Sequence, residues 1–350
     1  MAAEKIFFAS PDIKSELLDS GIFSPETSDC RLIKSNPVRD VRYFEKGFFV
    51  KTDRRGSSFK KEYNTGLLLQ NSGIPVVEHL AYGTTAAGSI LVTRAAAAGC
   101  VDMLNYVSGK ALSPQALHNF TGFLLKFKES PFFHSDFHLG NILFHPETNS
   151  FMLVDVHAVR RKLVWEKFYT PFCVYKPLFS LREQLSKSQM LELLNFIGTD
   201  NAEKLYIRGM QKEAAMILKQ WQKRKKQFDD NYNKFIRCEN GMRIYQDAPA
   251  DFRDRAEIIS TSDGAKLFTV SHFLRLASIA HCKIWAYDPA SETIFAEKLP
   301  TSCQFANADD AADMMWRASL YNLPTDAGQW MSDGTNRTFL KELTALNFTL

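Results

Sequence analysis

At 350 residues, with 45% hydrophobic and 23% charged side chains, the chain has an ordinary globular composition and room for one large domain or two medium ones. Its formal net charge of +4 is too mild to indicate nucleic acid. No apolar run approaches the ~18 residues of a membrane span, and "MAAEKIFFASPDIKSELL" lacks the basic and apolar regions of a signal peptide, so a cytoplasmic protein is expected. The six cysteines form no CxxC pair, which argues against a zinc ribbon and a disulfide framework.

Residues 32 to 52, "LIKSNPVRDVRYFEKGFFVKT", read as strands, with Glu45-Lys46-Gly47 turning a hairpin into Phe48-Phe49-Val50 and Lys51. Ser57 or Ser58 then caps a helix whose Phe59, Tyr63 and Leu67 fall on one face, and Gly73 with Pro75 stops it. "VVEHLAYG" and "SILVTR" follow as two short strands. Ser113-Pro114 opens an amphipathic helix through Leu117, Phe120, Leu124 and Phe127 that must end before Pro131. "NILF" and "FMLVDV" form a hairpin around "HPETNS", and "SKSQMLELLNFIG" and "AEKLYIRGMQKEAAMILKQWQKRKKQF" read as helices. The basic run Lys223-Arg224-Lys225-Lys226 near the end of the last helix reads as a solvated face.

Beyond residue 235 the pattern changes. Asn240-Gly241 and Asp263-Gly264 are two-residue hairpin signals, "KIWAYD" and "TIFAEK" make a third strand pair, and Met314, Met315 and Trp316 mark a helix. The expected class is α+β, with three segments: 1–95 as a small β-rich lobe, 96–235 as a helical lobe, and 236–350 as an accessory α+β region. The two glycine turns also suggest that the last region echoes the small lobe.

Residues 132 to 160, "FFHSDFHLGNILFHPETNSFMLVDVHAVR", place Asp136, Asn141 and Asp155 among apolar neighbours. The hairpin can set Asn141 beside Asp155, two oxygen donors of the kind a hard cation such as Mg²⁺ takes when water and phosphate fill its other positions. Asp136 then faces the same space as a base for a hydroxyl. His134 reads as a packed loop support, His138 as a residue near an acceptor, and His145 and His157 as incidental.

"HSDFHLGNILF" followed by "LVDV" resembles the catalytic loop and metal strand of the two-lobed protein-kinase-like fold. Lys51 and Glu62 match that superfamily's ion pair over the nucleotide phosphates. Within it, "VRYFEKGFFVKTDRRGSSFKKEYNTGLLLQNSGIPVVEHLAYG", "ILVTRAAAAG" and "LFSL" are similar to the lipopolysaccharide core kinases, which phosphorylate Kdo or heptose sugars. The likeness covers about residues 30 to 200. It implies ATP and Mg²⁺ as cofactors, Asn141 and Asp155 as metal ligands, Asp136 as base, and Val92, Thr93 and Ala95 at the adenine-binding hinge. It further implies an acidic sugar or glycolipid acceptor reached peripherally at the inner membrane face, with Arg54-Arg55-Gly56 and Arg160-Arg161-Lys162 as candidate anion-binding clusters. "HSDFHLGN" is also similar to the loop of aminoglycoside and choline kinases, which makes a small-molecule kinase of that type the runner-up. The chain departs from the superfamily pattern in having no GxGxxG, Ser135 after His134, and Asp155-Val156-His157 at the metal strand. Those departures suit a rival reading, a pseudokinase binding module whose residues 236–350 recruit a protein partner.

Overall fold

The computed structural model describes residues 5–9, 11–19, 21–22, 30–56, 58–85, 88–163, 174–198, 201–230, 235–299, 302–323, 325–332 and 338–341. Ser57, one of the two expected helix caps, lies outside them. The chain divides into two compact units, Met1–Ser180 and Leu181–Leu350. As its patterning predicts, the protein is α+β, β-rich at its N-terminal end with helices following.

The first unit begins with β1 (Lys5–Phe8) and α1 (Pro11–Asp19), then β2 (Cys30–Ser35), β3 (Arg39–Phe44) and β4 (Phe48–Asp53). Gly47 takes a positive φ of 87° in the β3–β4 turn, which glycine does without strain. Helix α2 (Lys60–Asn71) follows, its Lys60 N–H donating to the Ser58 hydroxyl at 3.2 Å. Strands β5 (His79–Thr85) and β6 (Gly88–Arg94) complete a six-stranded sheet of order β1-β5-β6-β4-β3-β2. Alternation along β4 divides its side chains between two faces. Phe48 and Val50 enter a core with Leu17, Phe44, Leu80 and Val92, while Lys51 takes the other face.

The unit continues with β7 (Val101–Asp102), α3 (Met103–Gly109) and α4 (Pro114–Glu129). Ser113 caps α4 by accepting from the Ala116 N–H, and Pro114 occupies the first turn, as its sequence predicts. Then come β8 (Phe132–His134), β9 (Ile142–His145), β10 (Ser150–Leu153), β11 (Val159–Arg161) and the short α5 (Lys176–Phe179). β9 and β10 form the expected hairpin, and β8 pairs with β11.

The second unit opens with α6 (Lys187–Phe196), held by a full capping box between Ser186 and Gln189, and the 28-residue α7 (Ala202–Asp229). β12 (Ile236–Glu239) and β13 (Met242–Tyr245) turn through Asn240 and Gly241, both at positive φ (52° and 83°), as that dipeptide predicts. After α8 (Phe252–Arg255) come β14 (Ala256–Ser260), α9 (Gly264–Ala277), and the β15 (Ile284–Asp288) and β16 (Thr293–Glu297) pair. β17 (Gln304–Phe305), α10 (Ala308–Ser319), β18 (Trp330–Ser332) and β19 (Thr338–Leu340) finish it.

Three expectations are corrected here. Asp263-Gly264 does not turn a hairpin; it starts α9, because Leu267, Phe268, Val270, Leu274 and Ala277 bury with helical spacing. Gly264 is needed for close packing, since a Cβ there would lie 2.6 Å from the Tyr287 ring. The five-stranded sheet, ordered β12-β13-β15-β16-β14, is also no echo of the first sheet. There the strand before the helix, β4, lies between β3 and β6, whereas β14 goes to the edge beside β16. Finally, the boundary at 235 falls inside a unit: α7 supplies Ala214, Trp221 and Phe228 to one core with Ile244, Phe268, Phe273 and Leu274.

His272 sits in that core, stacked on Phe228 with ring centroids 4.1 Å apart. Burial, with the charges of Arg275, Arg224 and Arg243 around it, depresses its pKa to about 3. The unfolded chain, with a histidine pKa near ~6.5, therefore binds the proton first, so stability falls as pH drops from about 6.5 toward 3, by up to ~1.4 kcal/mol per pH unit from this residue. Urea unfolding of the wild type should show a steeper loss between neutral and acid pH than unfolding of His272→Phe, which keeps the ring and removes the proton site.

Candidate active site

Lys51 projects from β4 and meets α2 and the end of the β10 segment. Its Nζ donates to Glu62 Oε1 at 2.7 Å and to Asp155 Oδ1 at 2.9 Å. Glu62 is placed by α2, whose Phe59 and Tyr63 pack with Leu91 on the Lys51 face of the sheet. Burial opposes the lysine's charge, but the two carboxylates outweigh it and raise its pKa. One ammonium between two carboxylates leaves the trio net negative, an electrostatic setting that suits a cation.

Asp155 adopts a left-handed backbone, φ 54° and ψ 62°, at the start of the 3-10 turn Val156–Ala158. Aspartate visits this region more readily than most residues, and such strain recurs at functional sites. Its Oδ1 also pairs with His157 Nδ1 at 2.7 Å. Burial pushes its pKa up, yet Lys51 and His157 overcome that and bring it to about 2.

The loop from His134 to Asn141 is built around a fully buried histidine. The Asp136 N–H donates to His134 Nδ1 at 3.1 Å, so the ring proton resides on Nε2, 3.2 Å from the Asp155 carbonyl that accepts it. Burial lowers the His134 pKa to about 4 and keeps this neutral tautomer at physiological pH. The ring stacks on Phe137 at 5.6 Å. His134 thereby ties the backbone of Asp136 to that of Asp155, the loop-support role its sequence context predicts.

Asn141 ends the 3-10 turn Leu139–Asn141 and is buried. Its Nδ2 donates to the Asp136 carbonyl at 2.9 Å, and its own carbonyl accepts from the Val154 N–H at 2.9 Å. Asn141 is thus fixed between the His134–Asn141 loop and the residue before Asp155. Asp136 itself is half exposed; its Oδ1 accepts from Lys176 Nζ at 3.0 Å, and His138 Nε2 lies 3.6 Å from Oδ2. The Lys176 hydrogen bond is the main influence holding its carboxyl below the usual range.

The side-chain oxygens of Asn141 and Asp155 are donors of the type that suits a hard cation such as Mg²⁺ and not a soft metal. Among the described residues, no group of three or more His, Cys, Asp or Glu side chains could hold a metal. A cation here would therefore rely on two protein oxygens and on solvent or phosphate for the rest.

Of the residues singled out in the sequence, Lys51, Glu62 and Asp155 are brought together, and Asp136 and Asn141 share one loop bonded to Asp155 through His134. The three hinge candidates differ in their placement. Val92 pairs with Val50 and is wholly buried on the face opposite Lys51, and the Ala95 N–H already donates to the Gly47 carbonyl at 2.8 Å. Thr93, opposite Phe49, lies half buried on the Lys51 face.

The basic clusters are also partly engaged. Arg54 donates to the Asn36 carbonyl at 3.0 Å and to Asp40 at 2.5 Å, and Arg39 pairs with Asp53 at 3.1 Å. These bonds pin the β2–β3 turn, where Asn36 Oδ1 accepts from the Val38 and Arg39 amides. The β2–β3 turn is thus held by arginine. Arg160 donates to the carbonyls of His157 and Val159, and Lys162 to that of Lys128, whereas Arg55 and Arg161 remain exposed. Sequence reading missed Lys176 and treated His157 as incidental. Nothing in the local sequence links Lys176 to Asp136, but His157 could have been found from its place two residues after a candidate ligand.

No protein-family model matches the chain, and no curated protein matches it. Among solved structures it is similar to APH(2")-IIa in its ternary complex with streptomycin and ATP, at 10% identity and a TM-score of 0.40, over 61% of this chain and 92% of that one.

Gly66, one turn beyond Glu62 on α2, has no room for a side chain: a Cβ would lie 2.2 Å from His79 Nδ1, and that ring is held by the Val77 carbonyl at 2.9 Å. Gly66→Ala should therefore push α2 away from β5 and loosen the Glu62 bond to Lys51, destabilising by ~1–3 kcal/mol despite alanine's better helix propensity. In urea unfolding, Gly66→Ala combined with His79→Ala should cost less than the sum of the two single changes, by ~1 kcal/mol or more.

Proposed function

We propose that the first unit transfers the γ-phosphoryl group of ATP to a hydroxyl of a small molecule, with Kdo or heptose of a lipopolysaccharide core as the acceptor class the sequence resemblance favours. The observation that carries this reading is the Lys51 ammonium shared by Glu62 and Asp155, with the His134–Asn141 loop bonded to the same aspartate.

In this reading Lys51 binds phosphate oxygens, and Glu62 keeps its ammonium charged and aimed. Asn141 and Asp155 would hold Mg²⁺, which when bound neutralises phosphate charge. Asp136 accepts the proton of the acceptor hydroxyl as its oxygen attacks the γ-phosphorus and ADP departs. Lys176 and His138 orient that carboxylate, and His134 holds the two aspartates in register. Such a site works by positioning and charge stabilisation, the main demands of phosphoryl transfer. Asp136 has its pKa lowered by Lys176 and therefore stays ionised at neutral pH. The chain would then be a cytoplasmic kinase acting on an acidic sugar or glycolipid.

Thermal-shift titration with Mg²⁺-ATP tests the nucleotide half of this proposal. At ~100 times the dissociation constant, ligand adds ~2.7 kcal/mol, a shift of several degrees for a protein of this size. The wild type should shift, Asp155→Asn should lose the magnesium-dependent part, and Asp136→Asn should keep the shift. Release of ADP with a panel of Kdo, heptose, aminoglycoside and choline acceptors tests the other half: Asp136→Asn should lose turnover by ~10²–10⁴. A wild type that neither shifts nor turns over would make the unit a binding module.

A further inference from the structure

Helix α7 presents two opposed faces. Ala202, Tyr206, Met210, Ala214, Trp221 and Phe228 are buried in the second unit. On the other side Lys204, Arg208, Lys212, Lys219, Lys223 and Lys226 are all exposed. At ~100° per residue these six cations fall within an arc of roughly 100° centred opposite the buried face, and they span about 33 Å of helix.

No acidic side chain shares that arc between 204 and 226. The nearest carboxylate at the N-terminal end, Glu203, is paired with Lys187 at 3.2 Å. Like charges at i, i+4 disfavour a helix by ~0.2–0.5 kcal/mol a pair, and 204–208, 208–212 and 219–223 are three such pairs. An ordinary solvated face would intersperse glutamates and relieve this repulsion. The row instead resembles a surface whose counter-charge lies outside the chain.

We propose that this face of α7 docks on the anionic surface of a lipid bilayer. The charges form a straight row that can lie flat on a plane of anionic headgroups. Five of the six are lysines, compact charges suited to a diffuse anionic surface, where arginine forks would mark recognition of individual phosphates. No aromatic side chain lies on the arc to stack on bases. Met216, 42% exposed at the margin of the arc, can meet the headgroup boundary. Among the described residues no helix is long and apolar enough to cross a membrane, so this contact is peripheral. The inference stands independently of the phosphotransferase reading.

Vesicle co-sedimentation of the full chain tests it, using phosphatidylcholine alone and phosphatidylcholine with about one third phosphatidylglycerol. The protein should bind only the anionic vesicles and be released by high salt. The triple variant Lys212→Gln, Lys219→Gln, Lys223→Gln, with a urea midpoint no lower than that of the wild type, should bind on the order of a hundredfold more weakly, about fivefold per lysine. A double variant on the buried-side margin, Glu213→Gln with Gln220→Ala, should bind as the wild type does. Equal binding to neutral vesicles, no binding to either, or unchanged binding by the triple variant would overturn the proposal. So would tighter, equally lysine-dependent binding to duplex DNA, which would make nucleic acid the partner.

Discussion

An ammonium held between two carboxylates is the constraint on which the candidate site rests. Lys51 leaves the sheet, Glu62 leaves α2 and Asp155 leaves the end of the second hairpin, so three separate pieces of chain must arrive within 3 Å of one nitrogen. Such a buried cluster is poor evidence of stability, because desolvating the charges offsets much of their attraction. Its presence is better understood as the preparation of a charged site. The trio's net negative charge leaves scope for a cation, and a bound phosphate would find an ammonium already in place.

The rest of the first unit can be understood as support for that meeting point. His134 stays neutral because it is buried, and each of its ring nitrogens then has one defined role, accepting from Asp136 and donating to Asp155. Asn141 spends its amide hydrogen on the same loop. The tight fit of Gly66 against His79 sets how closely α2 approaches the sheet, and therefore how closely Glu62 approaches Lys51. At the β2–β3 turn, Arg54 and Asn36 fix the backbone by hydrogen bonding. The second unit is organised around a different core, in which α7 lies against a five-stranded sheet and leaves its cationic face to solvent.

Lys51 and Glu62 were singled out only through the family resemblance, whereas hydrophobic periodicity and turn residues were enough to read most elements and the α+β class. Those signals are local: Ser113-Pro114 starts a helix and Asn240-Gly241 turns a hairpin by virtue of their own backbone preferences. Asp136, Asn141 and Asp155 stood out because polar residues interrupt an apolar stretch at informative intervals. The tertiary structure decided what depends on partners distant in the chain. Lys176 reaches Asp136 across 40 positions, and strand register put Val92 on the face away from Lys51. Tyr287 gave Gly264 a packing role where its dipeptide suggested a turn. The apolar stripe of α7 is complementary to any core of suitable width, so its periodicity could establish that it is buried but not which sheet it packs on.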